Sequence, residues 1–162
     1  MPAAPGPLPA AAERVQRALV ALGLDSRVVE LAVAARTAQQ AADALGVAVG
    51  QIAKSLVFRA AGSDRGVLVI AAGDRRVDEH KIAALIGAPI ERASPDFVRA
   101  TTGFAIGGVA PIAHAQPMRS FFDTSLRRFA VVWAAAGTPH CVFPIAPTDL
   151  LRASGATEAA IG

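Results

Sequence analysis

The sequence predicts one compact domain of mixed α/β (α+β) class, a mixed and largely antiparallel sheet surrounded by helices. Three observations carry that expectation. The 162 residues, 53% apolar and 18% charged, suit one self-sufficient core better than two. Ile52–Ala60 and Val67–Ala72 are rich in residues that favour pleated surfaces, and Gly62-Ser63-Asp64-Arg65-Gly66 between them marks a hairpin. Strand-like runs in the second half stand too close together for crossover helices, which disfavours a doubly wound parallel sheet.

Taken in order, Met1–Ala12 is Pro/Ala-rich and reads as a disordered leader, with the domain running from residue 13 to 162. Glu13–Leu22 is an amphipathic helix, its Val15, Ala18, Leu19 and Leu22 at i, i+3, i+4, i+7 spacing and Gly23 placed to end it. Arg27–Leu31 is extended. Thr37 caps a short helix, with Gln40 three residues later and Gly46 as its stop. After the hairpin, Asp78 caps Glu79–Ile86 before Gly87, and Ser94-Pro95 opens a brief helix that ends at Gly103. Phe104–Ile106, Ser120–Asp123, Phe129–Ala134 and Cys141–Ile145 are strand candidates, and Pro147 starts a final helix over Asp149–Ala153 that stops at Gly155.

Charge and cysteine content narrow the function classes. Sixteen Lys+Arg against 13 Asp+Glu give a net charge of +3, too small and too scattered to mark a nucleic-acid-coating protein. One cysteine, Cys141, forms no intrachain disulfide, and no Cys/His set suits a structural zinc. Two uncharged stretches, Ala100–Met118 and Phe129–Thr148, are interrupted by Gly and Pro and make poor membrane spans. The leader lacks the layout of a secretory signal. A cytoplasmic protein with no membrane contact is expected.

Two segments invite a chemical reading. Lys54 is one of two lysines and sits in the otherwise apolar Gln51-Ile52-Ala53-Lys54-Ser55-Leu56-Val57-Phe58. In a strand it shares a face with Ile52, Leu56 and Phe58, so it either enters a partly apolar cleft or blunts an exposed edge. The second is Thr102-Gly103-Phe104-Ala105-Ile106-Gly107-Gly108-Val109-Ala110-Pro111. Glycines allow close backbone approach, and consecutive amides can grip a carbonyl or anion; the same residues also make an ordinary turn.

These segments together resemble the YbaK family, free-standing relatives of the editing domain of bacterial prolyl-tRNA synthetases. The likeness rests on Thr37-Ala38, Ala41-Ala42 and Leu45-Gly46-Val47, then Gln51 to Phe58, then Thr102-Gly103-Phe104 with the Gly107–Pro111 loop, then Ala135-Ala136-Gly137 and His140. It spans about Thr37 to Thr157. The resemblance implies a trans-editing hydrolase that deacylates mischarged aminoacyl-tRNA, above all tRNA for proline carrying a small non-cognate amino acid. It implies no cofactor and no metal, with the acceptor end of the tRNA as partner and prolyl-tRNA synthetase as a second. The family lysine falls on Lys54. Gly107 and Gly108 carry the catalytic loop, Val109, Ala110 and Pro111 bind substrate, and His140 falls at the rim of the amino-acid pocket or serves structure.

An activated ester needs positioning, oxyanion stabilisation and water more than a strong nucleophile, so the absence of a Ser/His/Asp set is consistent. His140 and Cys141 would point to opposite faces of a strand and make no dyad. His80 is expected in solvent, and His114 on a loop without a visible partner. Arg75-Arg76 and Arg127-Arg128 can touch phosphates or simply face solvent. No tyrosine and few other aromatics argue against a stacking platform for single-stranded RNA. Two alternatives stay open: a catalytically silent tRNA-binding relative, and a helix-turn-helix regulator built on Thr37–Ile52, which requires Val49–Phe58 to be a recognition helix.

Overall fold

The hairpin organises the sheet. In the computed structural model, which describes residues 7–162, β2 (Ile52–Ala60) and β3 (Gly66–Ala72) pair antiparallel from Ala53↔Ala72 to Arg59↔Gly66. Every residue of β3 is buried, as befits a strand covered on both faces. Beyond it, β5 (Arg119–Asp123) pairs parallel with β3, and β8 (Thr157–Ala159) parallel with β5. On the other side, β6 (Val132–Ala135) runs parallel to the start of β2 and is followed outward by antiparallel β7 (Cys141–Ile145) and β1 (Val29–Glu30). A short β4 (Ile90–Arg92) pairs antiparallel with the far end of β2, completing an eight-stranded mixed sheet. Four of its seven pairings are antiparallel.

Helices end where the sequence chemistry places their caps. Thr37 Oγ1 accepts from Gln40 N at 3.1 Å to start α2 (Ala38–Leu45), while the Gln40 side chain reaches back to Arg36 N. Asp78 caps α3 (Glu79–Ile86), Ser94 caps α4 (Pro95–Thr102), and Pro147 opens α5 (Pro147–Ser154). Gly46, Gly87, Gly103 and Gly155 close these four in the left-handed conformation. The first helix, α1 (Ala10–Ala21), begins before Glu13, because Ala10–Ala12 are good helix formers and Ala12 is fully buried. Met1–Gly6 of the expected leader lies outside the described residues.

Alternation along the hairpin sorts its side chains into two cores. Ala53, Leu68, Ile70 and Ala72 face the main cluster with Phe122, Phe143, Leu150 and, from α1, Val15 and Leu19. Phe58, Val67, Val69 and Ala71 face a second cluster with Ile82 and Phe121.

Several expectations are corrected. Phe104–Ile106 forms no strand: Gly103 ends α4 with positive φ, Phe104 drops into the core, and the chain turns at Ile106-Gly107. Of Phe129–Ala134 only Val132–Ala134 is strand, and the strand continues one residue further to Ala135. β4 and β8, three residues each, gave too short a pattern to read. The recognition-helix alternative fails, since Val49–Gln51 is a single 3₁₀ turn and Ile52–Ala60 a strand.

Candidate active site

A break in the sheet makes the site. Ile52 O accepts from Gly73 N at 2.8 Å and Ala60 N donates to Arg65 O at 3.0 Å, so the even-numbered residues of β2 bond across the hairpin. Odd-numbered Ala53, Ser55, Val57 and Arg59 therefore turn their N–H and C=O groups to the opposite edge. There β6 pairs only with Ile52 and Ala53, and β4 only with Phe58 to Ala60. Ser55 and Val57 are left with no strand partner on that edge among the described residues, facing a cleft of about 860 Å³. The buried Ser55 Oγ also has no hydrogen-bond partner there.

Lys54 lines this cleft, half-buried on its strand. Burial pushes its ammonium below the ordinary lysine range, against the opposing pull of the Asp74 and Asp123 carboxylates. Both acids are otherwise engaged. Asp123 accepts from Ala72 N and Ser125 N, and Asp74 holds Arg128 through two bonds of 2.7 and 2.9 Å. Among the described residues Lys54 has no ion-pair partner within 4 Å.

The loop after α4 forms another wall. Ile106, Gly107 and Val109 line the cleft together with Lys54. Gly107 has φ +95, a conformation that favours glycine. Gly108 is close-packed for a different reason: a Cβ there would stand 2.6 Å from Thr138 Cα and 2.7 Å from Thr138 N. It seats the loop on the Gly137–Thr138 turn rather than opening it to a ligand. Ala110 and Pro111 are buried behind the wall and do not line the cleft.

Side chains to which the sequence alone assigns no such role hold this loop. Arg14, on α1, donates to Thr102 O at 2.7 Å and Ala113 O at 2.6 Å, with its guanidinium 4.2 Å from the Phe104 ring centroid. Thr102 Oγ1 donates to Val98 O and accepts from Phe104 N. His114, expected to lack a partner, bonds Ala110 O through Nε2 at 2.7 Å and meets Phe104 edge-on. Burial lowers its pKa. An arginine on a helix gives no sequence signal of a bond 88 residues away.

The remaining candidates separate clearly. His140 is exposed and outside the cleft lining, where its neighbours Pro139 and Cys141 stand instead. Burial raises the Cys141 thiol pKa, the opposite of what a thiolate nucleophile needs. Arg127 is paired with Glu158 and Arg128 with Asp74, whereas Arg75 and Arg76 line the cleft with Arg36 and Arg92. Among the described residues no group of three or more His, Cys, Asp or Glu side chains could hold a metal ion. No described helix is long and apolar enough to cross a membrane.

Residues 32–153 match the family model of the aminoacyl-tRNA editing domain. The chain belongs to that family. It is 43% identical, with a TM-score of 0.89, to a crystal structure described as "a putative trans-editing enzyme for prolyl tRNA synthetase", covering 96% of this chain and 98% of that one. The uncharacterized protein YwhH of Bacillus subtilis (strain 168) is 36% identical over 126 residues, 78% of this chain and 80% of its own. A proline--tRNA ligase of Nitratidesulfovibrio vulgaris (strain DP4) is 37% identical over 93 residues, which make up 16% of that much longer protein. In this editing domain Lys54 and Gly107 line one cleft.

Proposed function

We propose that this protein hydrolyses the ester of a mischarged aminoacyl-tRNA in trans, with tRNA for proline carrying a small non-cognate amino acid as its substrate. The observation that carries the proposal is the convergence of Lys54, Gly107 and the open edge of β2 on one cleft. Water attacks the ester carbonyl carbon, forming one carbon–oxygen bond. The bond to the ribose oxygen breaks, that oxygen takes one of the water protons and leaves as the tRNA hydroxyl, and the amino acid departs as its carboxylate with the other proton released to solvent. Lys54 contacts the tRNA 3′ end and Gly107 orients the aminoacyl group, while the neighbouring ribose hydroxyl helps activate water. Gly108 supports the wall from behind.

Affinity for the tRNA comes from cations at the cleft. Arg36, Arg75, Arg76 and Arg92 have no ion-pair partner within 4 Å among the described residues, and unpaired guanidinium groups suit phosphate contacts. Exclusion of proline requires only a small pocket, since one methylene is worth ~1–3 kcal/mol of discrimination. The decisive experiment incubates the protein with tRNA for proline charged in turn with alanine, serine, cysteine, threonine and proline. Release of one or more small residues with prolyl-tRNA spared is expected. Uniform stability of all five esters would overturn the proposal and favour a silent tRNA-binding relative.

A further inference from the structure

The sheet sets the chain's one tryptophan beside Lys54. Trp133 is the register partner of Ile52 across the parallel β2–β6 pair. Partners across a ladder project on the same face, and so do residues two apart along a strand, so Trp133 stands on the Lys54 face. Its indole is half-buried, packs against the small cluster of Ala41, Ala42 and Ile52, and lines the cleft. Packing against α2 holds a large flat ring in place at little entropic cost. Arg36, Arg75 and Arg76 line the same cleft. An anchored indole in a cleft lined by cations that have no ion-pair partner among the described residues is the chemistry that takes a nucleotide: the base stacks on the ring and the phosphate meets the guanidinium groups. A small amino-acid side chain would call for neither. Scarcity of aromatics argued against such a platform, but one ring suffices for one base when the sheet puts it at the site.

We infer that Trp133 is the stacking platform for the terminal nucleobase of the tRNA 3′ end. The identity of the nucleotide rests on the proposed editing function; the presence of a nucleobase subsite does not. As the sole indole, Trp133 reports on its own occupancy. Titrating the protein with the trinucleotide CCA should quench tryptophan fluorescence, and titrating with free alanine should not. Trp133→Leu keeps apolar packing against α2 and removes the stacking surface. It should raise KM for mischarged tRNA by roughly 5- to 150-fold with a much smaller effect on kcat, and Trp133→Phe should fall between. If the leucine variant melts early, the smaller rise in KM of the phenylalanine variant carries the test, and an unchanged KM there overturns the subsite.

Hydrolysis by the wild type without quenching, or with an unchanged KM in Trp133→Leu, would overturn the subsite and leave the editing function standing. Quenching by CCA in a protein that hydrolyses no charged tRNA would do the reverse.

Discussion

One wall of the cleft is a strand and another is a loop, and they are held by different means. β2 owes its place to a main-chain ladder with β3 that depends on no individual side chain, so Lys54 rides on a surface whose position is fixed without it. The Gly103–Pro111 wall has no ladder. It is held by Arg14 from α1, by the Thr102 hydroxyl, by His114 behind Ala110, and by the seat of Gly108 on the turn at Thr138. The difference predicts separability: change on the strand wall should alter chemistry and spare the fold, and change on the loop wall should alter both.

The largest effect belongs to Lys54. Lys54→Ala should lower kcat/KM for deacylation by ~10- to 150-fold, the worth of one hydrogen bond between charged groups at the tRNA 3′ end. Its melting temperature should match or exceed that of the wild type, because a half-buried ammonium kept below its ordinary pKa is a burden on the fold. Lys54→Arg should also be slow, since a planar fork does not replace a compact ammonium. If Lys54 acts as a cation, activity should fall on the alkaline side at a pH below the ordinary lysine range. A folded Lys54→Ala protein with full activity would erase the contrast between the walls.

Next come the paired glycines, which sequence treats alike and structure does not. Gly108→Ala forces a methyl group against Thr138 main chain, which has no flexible end to move aside. A loss of ~1–3 kcal/mol in stability, together with activity, is expected from such overpacking. Gly107→Ala meets nothing nearer than Pro139 Cγ at 3.7 Å, but its φ of +95 costs a non-glycine residue about 1–2 kcal/mol. That strain is local, so turnover should suffer more than cooperativity of unfolding. Urea melts and single-turnover rates on the two variants make the test. Equal stability of Gly108→Ala and wild type would show that the loop does not depend on its seat.

The same contrast explains what the sequence made legible. Ile52–Ala60, Cys141–Ile145 and four of the helices could be read closely because alternation, caps and terminal glycines are local signals. Lys54 stood out as a charge in an apolar strand, and the structure brings it to the cleft. Phe104–Ile106 reads as a strand because it is apolar, but only Phe104 is buried, and Arg14, which stacks over its ring, lies 90 residues away where no window of sequence reaches. His140 was placed by resemblance rather than by geometry, and the turn that precedes it leaves the side chain in solvent. Trp133 was passed over because a partner across a parallel pair is a long-range fact.

The smallest effect should come from His114, and its sign tells the walls apart by pH. Burial holds the His114 ring below its ordinary pKa of about 6.5, opposed by its bond to Ala110 O and assisted by the nearby Arg14 charge. A base with a lowered folded pKa binds fewer protons than the unfolded chain as pH falls below that ordinary value. Stability is therefore full above about pH 6.5 and is lost progressively as pH drops through the folded pKa. His114→Gln offers an amide donor for Ala110 O and does not titrate. At pH 8 the variant should differ from wild type by only about 0.5–1.5 kcal/mol, the net worth of one hydrogen bond. Between pH 7 and 5 the wild type should lose stability that the glutamine variant keeps, by urea unfolding at each pH. Parallel curves for the two proteins would mean that the acid sensitivity of the fold arises elsewhere, and that the loop wall draws on His114 only for its shape.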